Sequence, residues 1–493
     1  MRTRLGVSLV VLAAFVPSQS AADDPWIEVK SPNFTVVSNA GEGRARNVAW
    51  QFEQIRAAIQ IGWPWARVQL DRPVVVVAAK DENSMKLLIP GFWEKSSRDS
   101  RPSSVFGTGA AAHYITLRSD VRADDTVGIN PYVSSYWSYS ALTLNEAFER
   151  PLPLWFRNGL AELLSNSIVR DNEIQFGRAI PWNVARLQQD GRLRLSELVT
   201  LGSKSPYYTN GTTRPLFDAQ SWGVMHYMMF GAGDAGAHVN QLTELLLKGA
   251  PSTEAIQRVF GSVDALEIAY LNYQKKPITQ FVRLKVDTNA LSKNFPVRAL
   301  SPGESAGVHA AVHATFGRPV EARAAIAAAG ENRGAATYDV EALLLDREGR
   351  RDEARSAYTK AVELNSESFY THYRLATMIW TANADVDTRK RMETLLRRSV
   401  ALNSFYSPSQ SFLADTLAQG ATPADALPIA IRAATLDPSS AAARMTVARV
   451  LNRMGRRDEA IGHARASRAL AQTDDERGAA EELIAFLTRQ PQI

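Results

Sequence analysis

The sequence predicts an α+β domain followed by an all-α helical-repeat solenoid. Three observations carry that reading. Short β-branched runs alternate with amphipathic helical stretches up to about residue 285. From about Ser301 onward the strand-like runs vanish and one short motif recurs at near-constant spacing. The composition is ordinary for globular chains, 45% hydrophobic and 22% charged, so 493 residues can bury substantial cores, with a prior of about three domains at roughly 150 residues each.

The first residues read as a leader. Arg2 and Arg4 precede an apolar run from Leu5 to Val16, then Pro17 and the small-residue stretch Ser18–Ala22. This is the order of a secretory signal peptide cleaved after Ala22. The apolar run is 12 residues, too short for the ~30 Å of a hydrocarbon core. No later run is long and apolar enough to span a membrane. The chain has no cysteine, which an oxidising compartment permits and which excludes Cys-based zinc sites and a Cys nucleophile. The formal charge of +5 falls by two, to +3, once Arg2 and Arg4 are removed. The positive residues are scattered among acids, with no basic stripe interleaved with aromatics, so nucleic acid is not an expected partner.

In the front half, Phe34–Val37, Val74–Val77 and His113–Leu117 read as strands. Ala45–Ile61 reads as a helix, with Val48, Phe52, Ile55 and Ile59 at helical spacing. Tyr136–Phe148 and Leu154–Ser165 read as two helices separated at Pro151 and Pro153. Gln220–Phe230 and Asn240–Lys248 are further helices.

The repeat is visible by counting. Gly317-Arg-Pro-Val-Glu-Ala322, Gly349-Arg-Arg-Asp-Glu-Ala354 and Gly455-Arg-Arg-Asp-Glu-Ala460 are near copies, and Gly420–Ala426 is a looser one. Met392 stands where the intervening unit would carry its alanine. Upstream small residues, Ala310, Ala342, Ala376, Ala414 and Ala448, keep the same register. Alanine lets paired helices approach closely, Gly349 and Gly455 mark the turn within a pair, and Asn365, Asn403 and Asp437-Pro438 close second helices. One pair cannot bury its apolar face, so the pairs must stack. About five pairs fit between Ser301 and Ala471, and Asp474–Arg489 reads as a capping helix with acids in its first turn.

The pattern resembles tetratricopeptide (TPR) repeats. The resemblance implies a groove that binds protein or peptide partners. A bracing role against the front domain is the plainer alternative.

A second resemblance lies in the front half. Trp137-Ser-Tyr-Ser-Ala141, Leu152-Pro-Leu-Trp155 and Trp155-Phe-Arg-Asn-Gly-Leu-Ala-Glu162 are similar to the core of gluzincin peptidases, in particular the peptidase-MA-like domains that precede TPR arrays in exported bacterial proteins. Phe34–Ser38 and Gln220–Tyr227 extend the likeness, which implies a zincin-like fold. In that family two histidines of H-E-x-x-H and a glutamate on the next helix hold zinc, and the motif's own glutamate is the general base. In this register the histidine positions are Trp137 and Ala141, the base position is Ser138, with Tyr139 inside the window, and the ligand glutamate position is Asn158. Glu162 matches the family but is not a ligand. No histidine lies between Tyr114 and Met225. The resemblance thus implies a peptidase frame without metal or cofactor.

His309-Ala-Ala-Val-His313 has metal-ligand spacing, but its middle falls on Ala310, a repeat packing position, and it reads as packing. His226 is read two ways, as a cleft residue or as core beside Val224, Met225, Met228 and Met229. No G-x-S-x-G turn accompanies Ser138 or Ser140. Gly231–Gly236 reads as a helix cap rather than a phosphate loop.

The expected organisation is a signal peptide at 1–22, a peptidase-MA-like domain at 23–290, TPR repeats at 301–472 and a cap at 473–493. The expected function is an exported, periplasmic, non-catalytic scaffold that binds proteins. The alternative is a hydrolase with a rebuilt, non-zinc site in the same cleft.

Overall fold

The computed structural model describes residues 25–94, 101–122, 128–145, 152–170, 173–188, 192–233, 236–285, 293–381, 383–420 and 423–489. The expected leader and residues 146–151, which include the end of the expected helix Tyr136–Phe148, lie outside them.

The front domain is built on a six-stranded sheet of order β4-β5-β3-β2-β1-β9. Its strands are β1 (Ile27–Lys30), β2 (Phe34–Ser38), β3 (Val74–Ala79), β4 (Ser104–Thr108), β5 (His113–Arg118) and, far along the chain, β9 (Val297–Ala299). β2, β3 and β5 run parallel. β4, β1 and β9 pair antiparallel with their neighbours. The central strand β3 reads Val-Val-Val-Val-Ala-Ala because both of its faces are covered. Val74, Val76 and Ala78 join the main core with Phe52, Ile55 and Ile59 of helix α1 (Glu42–Gly62). Val77 and Ala79 face the other way, onto Met85 and Leu88 of α2 (Glu82–Leu88). The short α3 (Gly91–Glu94) follows α2.

Behind α1 lie α4 (Val133–Asn145) and α5 (Leu154–Ser165). Pro153 sits at the cap of α5, where a missing N–H costs no helical bond. An antiparallel sheet of β6 (Ile168–Arg170), β7 (Glu173–Phe176) and β8 (Val282–Lys285) flanks them. The remaining helices are α6 (Pro181–Leu187), α7 (Leu195–Leu198), α8 (Pro206–Thr209), α9 (Arg214–His226), α10 (Ala237–Leu247), α11 (Ser252–Phe260) and α12 (Val263–Gln274). α9 begins six residues before the expected Gln220, because Pro215 in its first turn presets the helical φ. It leaves α-geometry after His226 and ends in one wide turn, Tyr227–Gly231.

After β9 come five antiparallel helix pairs: α13 (Pro302–Thr315) with α14 (Pro319–Ala328), α15 (Ala335–Arg347) with α16 (Arg351–Glu363), α17 (Phe369–Ile379) with α18 (Val386–Leu402), α19 (Ser407–Ala418) with α20 (Pro423–Leu436), and α21 (Ala441–Arg453) with α22 (Arg457–Leu470). α23 (Asp474–Arg489) packs on the last pair. This is the stacked architecture expected of TPR repeats. The first-helix alanines 310, 342, 376, 414 and 448 are all fully buried, as are Ala322, Ala354, Ala426 and Ala460 on the second helices, with Met392 nearly so. Gly349 and Gly455, both at φ +75°, occupy the left-handed region with open space around them, so conformation rather than crowding selects glycine there. Asn365 ends α16 at φ +60°, the one non-glycine residue at positive φ among those described.

The two halves share a continuous interface. Val312 of α13 joins Val77, Met85 and Leu88, so the first array helix forms the second layer of the front sheet. Arg318 pairs with Glu94 at 2.8 Å and Lys30 with Glu367 at 3.4 Å. Asn403 Nδ2 donates to Asp71 O at 2.7 Å. Arg67 donates to the carbonyls of Thr435 and Leu436, where a cation complements the C-terminal end of α20. Successive junctions of the array therefore lie along the front domain.

Candidate functional site

Three helices position the residues that the zinc-peptidase register singled out. α5 lies between α4 and α9. Its approach to α9 requires Gly159, since a Cβ there would fall 2.6 Å from Ser221 O. That contact sets Asn158 and Glu162, one turn apart on α5, against the N-terminal half of α9.

There they meet two residues the sequence reading missed, Arg214 and Asp218. Asn158 Nδ2 donates to Asp218 Oδ1 at 2.8 Å, and Arg214 Nε donates to Asp218 Oδ2 at 3.1 Å. Arg157 donates to Asn158 Oδ1 at 3.1 Å and to the Tyr208 hydroxyl at 2.9 Å. The Arg214 guanidinium lies 4.0 Å from the Tyr208 ring centroid and 5.7 Å from that of Trp137. Asn183 of α6 donates to Glu162 Oε2 at 3.0 Å. The signal in the sequence is the i, i+4 pair in Arg214-Pro-Leu-Phe-Asp218, which precedes the expected helix start at Gln220.

Two carboxyl groups thus share one largely buried polar cluster. Burial, and then the neighbouring charge of Asp218, raises the Glu162 carboxyl to about 8 against an opposing hydrogen bond from Asn183. Asp218 is also raised by burial, while Arg214 and Asn158 pull it back down. Glu162 is therefore mostly neutral at pH 7, beside an aspartate held by a guanidinium.

The other expected site residues separate. Ser138 Oγ donates to Ser134 O of its own helix at 3.0 Å. Tyr139 points into the core against Phe34, with ring centroids 5.5 Å apart. Ala141 is half-buried one turn beyond Trp137. His226 lies two turns from Asp218 and is fully buried, its ring nitrogens 3.0 Å from the Tyr273 hydroxyl and 2.9 Å from Gly177 O. Burial lowers it to about 4, so it is neutral at pH 7. His113 is in the sheet, 3.4 Å from Asp71 and stacked on Phe106. On α13, His309 packs edge-on against Trp26 and His313 is buried. Among the described residues, no group of three His, Asp or Glu side chains is placed to hold a metal ion.

In the array, Tyr373, Pro408, Phe412, Met445 and Thr446 line a groove of about 340 Å³ that α23 borders through Glu476 and Ala479. Arg449 and Asp415 form an ion pair at its edge. The first helices of the earlier pairs face the front domain instead. A cavity of about 220 Å³ lies between the Gly109–Ala112 turn and α13, α15 and the start of α17. Half-buried Asp339, raised to about 6 by desolvation, lines it and accepts hydrogen bonds from Ser366 and Thr371.

No protein-family profile matches this chain, and no curated protein matches it. Solved structures similar to part of it include YrrB, described as a TPR protein with an unusual peptide-binding site. That protein is 18% identical, with 36% of this chain and 92% of that one covered and a TM-score of 0.31. TTC0263, a TPR protein of Thermus thermophilus, is 18% identical over 37% of this chain and 97% of its own, with a TM-score of 0.27. MamA of Desulfovibrio magneticus is 14% identical over 31% and 93%, with a TM-score of 0.25.

Among the described residues, no helix is long and apolar enough to cross a membrane.

Proposed function

We propose that this chain is an exported, periplasmic, non-catalytic scaffold: a pseudo-metallopeptidase domain of zincin-like fold joined to a TPR array that binds protein partners. The observation that carries the first half is the Arg214–Asp218–Asn158 network. The positions where the resemblance expects zinc ligands hold Trp137, Ala141 and Asn158. The positive charge beside them comes from two guanidiniums: Arg214, paired with Asp218 and lying over Trp137, and Arg157, bonded to Asn158 and Tyr208. Such a cluster disfavours a metal cation, and those positions supply none of the ligands that zinc requires. The groove at Tyr373, Phe412 and Met445 supports the second half, because it is the stretch of inner face that the front domain leaves open.

The test is the metal content of the mature protein, purified without chelator and supplied with zinc, together with peptide cleavage. The expected result is neither stoichiometric zinc nor metal-dependent cleavage. One tightly held zinc per chain with cleavage overturns the reading.

A hydrolase rebuilt in the same cleft is the second reading, favoured by the Glu162–Asp218 pair. A neutral carboxyl beside a second, ion-paired one supplies an acid and a base without metal. It requires an activity that Glu162→Gln abolishes.

A further inference from the structure

A further groove lies away from both sites. It runs between α6 and α12 and the stretch that follows α12, with a volume of about 770 Å³. That is within the ~300–1,000 Å³ common for ligand sites. Val184, Leu187, Leu271 and Ile278 form its apolar wall, and Ile268 stands at the rim with 63% of its surface exposed. The charged residues that line it are Arg192, Lys275 and Lys276, with no acid among the described lining residues. The nearest acid on α12, Glu267, is turned to the backbone of Leu195 at 3.1 Å. Arg192 is steadied by Gln274 at 2.8 Å and Lys275 by Asn272 at 2.8 Å, so among the described residues both cations are held by neutral partners.

We propose that this groove docks an extended acidic segment of a partner protein, seating apolar side chains on Leu187, Ile268 and Leu271 and carboxylates against Arg192, Lys275 and Lys276. The apolar wall accounts for an exposed isoleucine beside open space. The one-signed rim selects anionic sequence and speeds encounter. A concave slot between two helices suits inserted side chains, whereas a lipid surface would call for protruding ones. The proposal is independent of what the emptied peptidase cleft does.

The test uses the full mature chain and a fluorescein-labelled peptide of alternating leucine and glutamate, followed by anisotropy. Saturable binding that weakens with added salt is expected. Lys275→Glu with Lys276→Glu, and separately Ile268→Asp, should each weaken it at least tenfold. All three side chains are exposed, so an unchanged melting temperature verifies the fold. Equal affinity in the variants, or equal binding of a leucine–lysine peptide, overturns the proposal. Binding to phosphatidylglycerol vesicles that the peptide cannot displace also overturns it, as does a probe that loses affinity on Arg449→Glu but not on the lysine changes, which places it in the array.

Discussion

The Asn158 side-chain amide donates to Asp218 Oδ1 at 2.8 Å. An amide can do this and a second carboxylate cannot, because two anions at that separation repel. The asparagine and the aspartate are therefore a matched pair, and Arg214 completes them.

Removing Arg214 should be costly. Arg214→Ala leaves Asp218 largely buried without its counter-ion, and the expected loss is about 3 kcal/mol of unfolding free energy, measured by urea titration. Arg214→Ala with Asp218→Asn should recover part of that loss, because no uncompensated charge remains.

The cluster also sets a pH dependence. Glu162 is raised from 4.5 to about 8, so between those values the folded state binds more protons than the unfolded one. Stability then falls as pH rises through that window. His226, lowered from 6.5 to about 4, acts with the opposite sign and removes stability as pH falls through its own window. Melting temperatures of wild type and Glu162→Gln, compared from pH 5 to 9, should diverge upward, with the variant the more stable at the alkaline end. Parallel curves would mean that the carboxyl is ionised in the fold.

The helix pairs should tolerate no added bulk at their small positions. Ala448→Leu inserts three carbons at a fully buried contact, and the expected cost is about 1–3 kcal/mol. Leucine at the exposed Ala442, on the same helix, is the control and should change little.

The junction between the halves should make them unfold together. Wild type is expected to give one calorimetric transition. Arg67→Ala with Asn403→Ala removes the bonds to the α20 carbonyls and to Asp71 O, and should split or broaden that transition. An unaltered single peak would assign the coupling to the contacts that remain, those of Val312, Arg318 and Lys30.

The array was legible because its rule is translational: one spacing, repeated, marks buried alanines and left-handed turn glycines, and the structure uses each as the spacing requires. The central strands were legible for a related reason, since β3 is apolar on both faces. The cluster around Glu162 was half legible. Its α5 members follow from a motif, whereas Arg214, Asp218, Asn183 and Tyr208 arrive from α6, α8 and α9 by tertiary packing that leaves no periodic trace. β1 and β9 were illegible because each has only three or four residues and acquires meaning from the other, 270 positions away.

That pairing bears on where this protein can be cut. The boundary suggested by sequence falls near residue 290, yet Val297–Ala299 supplies the last strand of the front sheet. A chain ended at 290 would leave the outer edge of β1 with unpaired amides and carbonyls, a template for strand addition by another copy. During synthesis the same edge must wait for β9, so for most of its translation the nascent front half carries an adhesive margin. Soluble halves should come from a cut after Leu300 with the face around Val77 made polar, not from the gap that composition suggests.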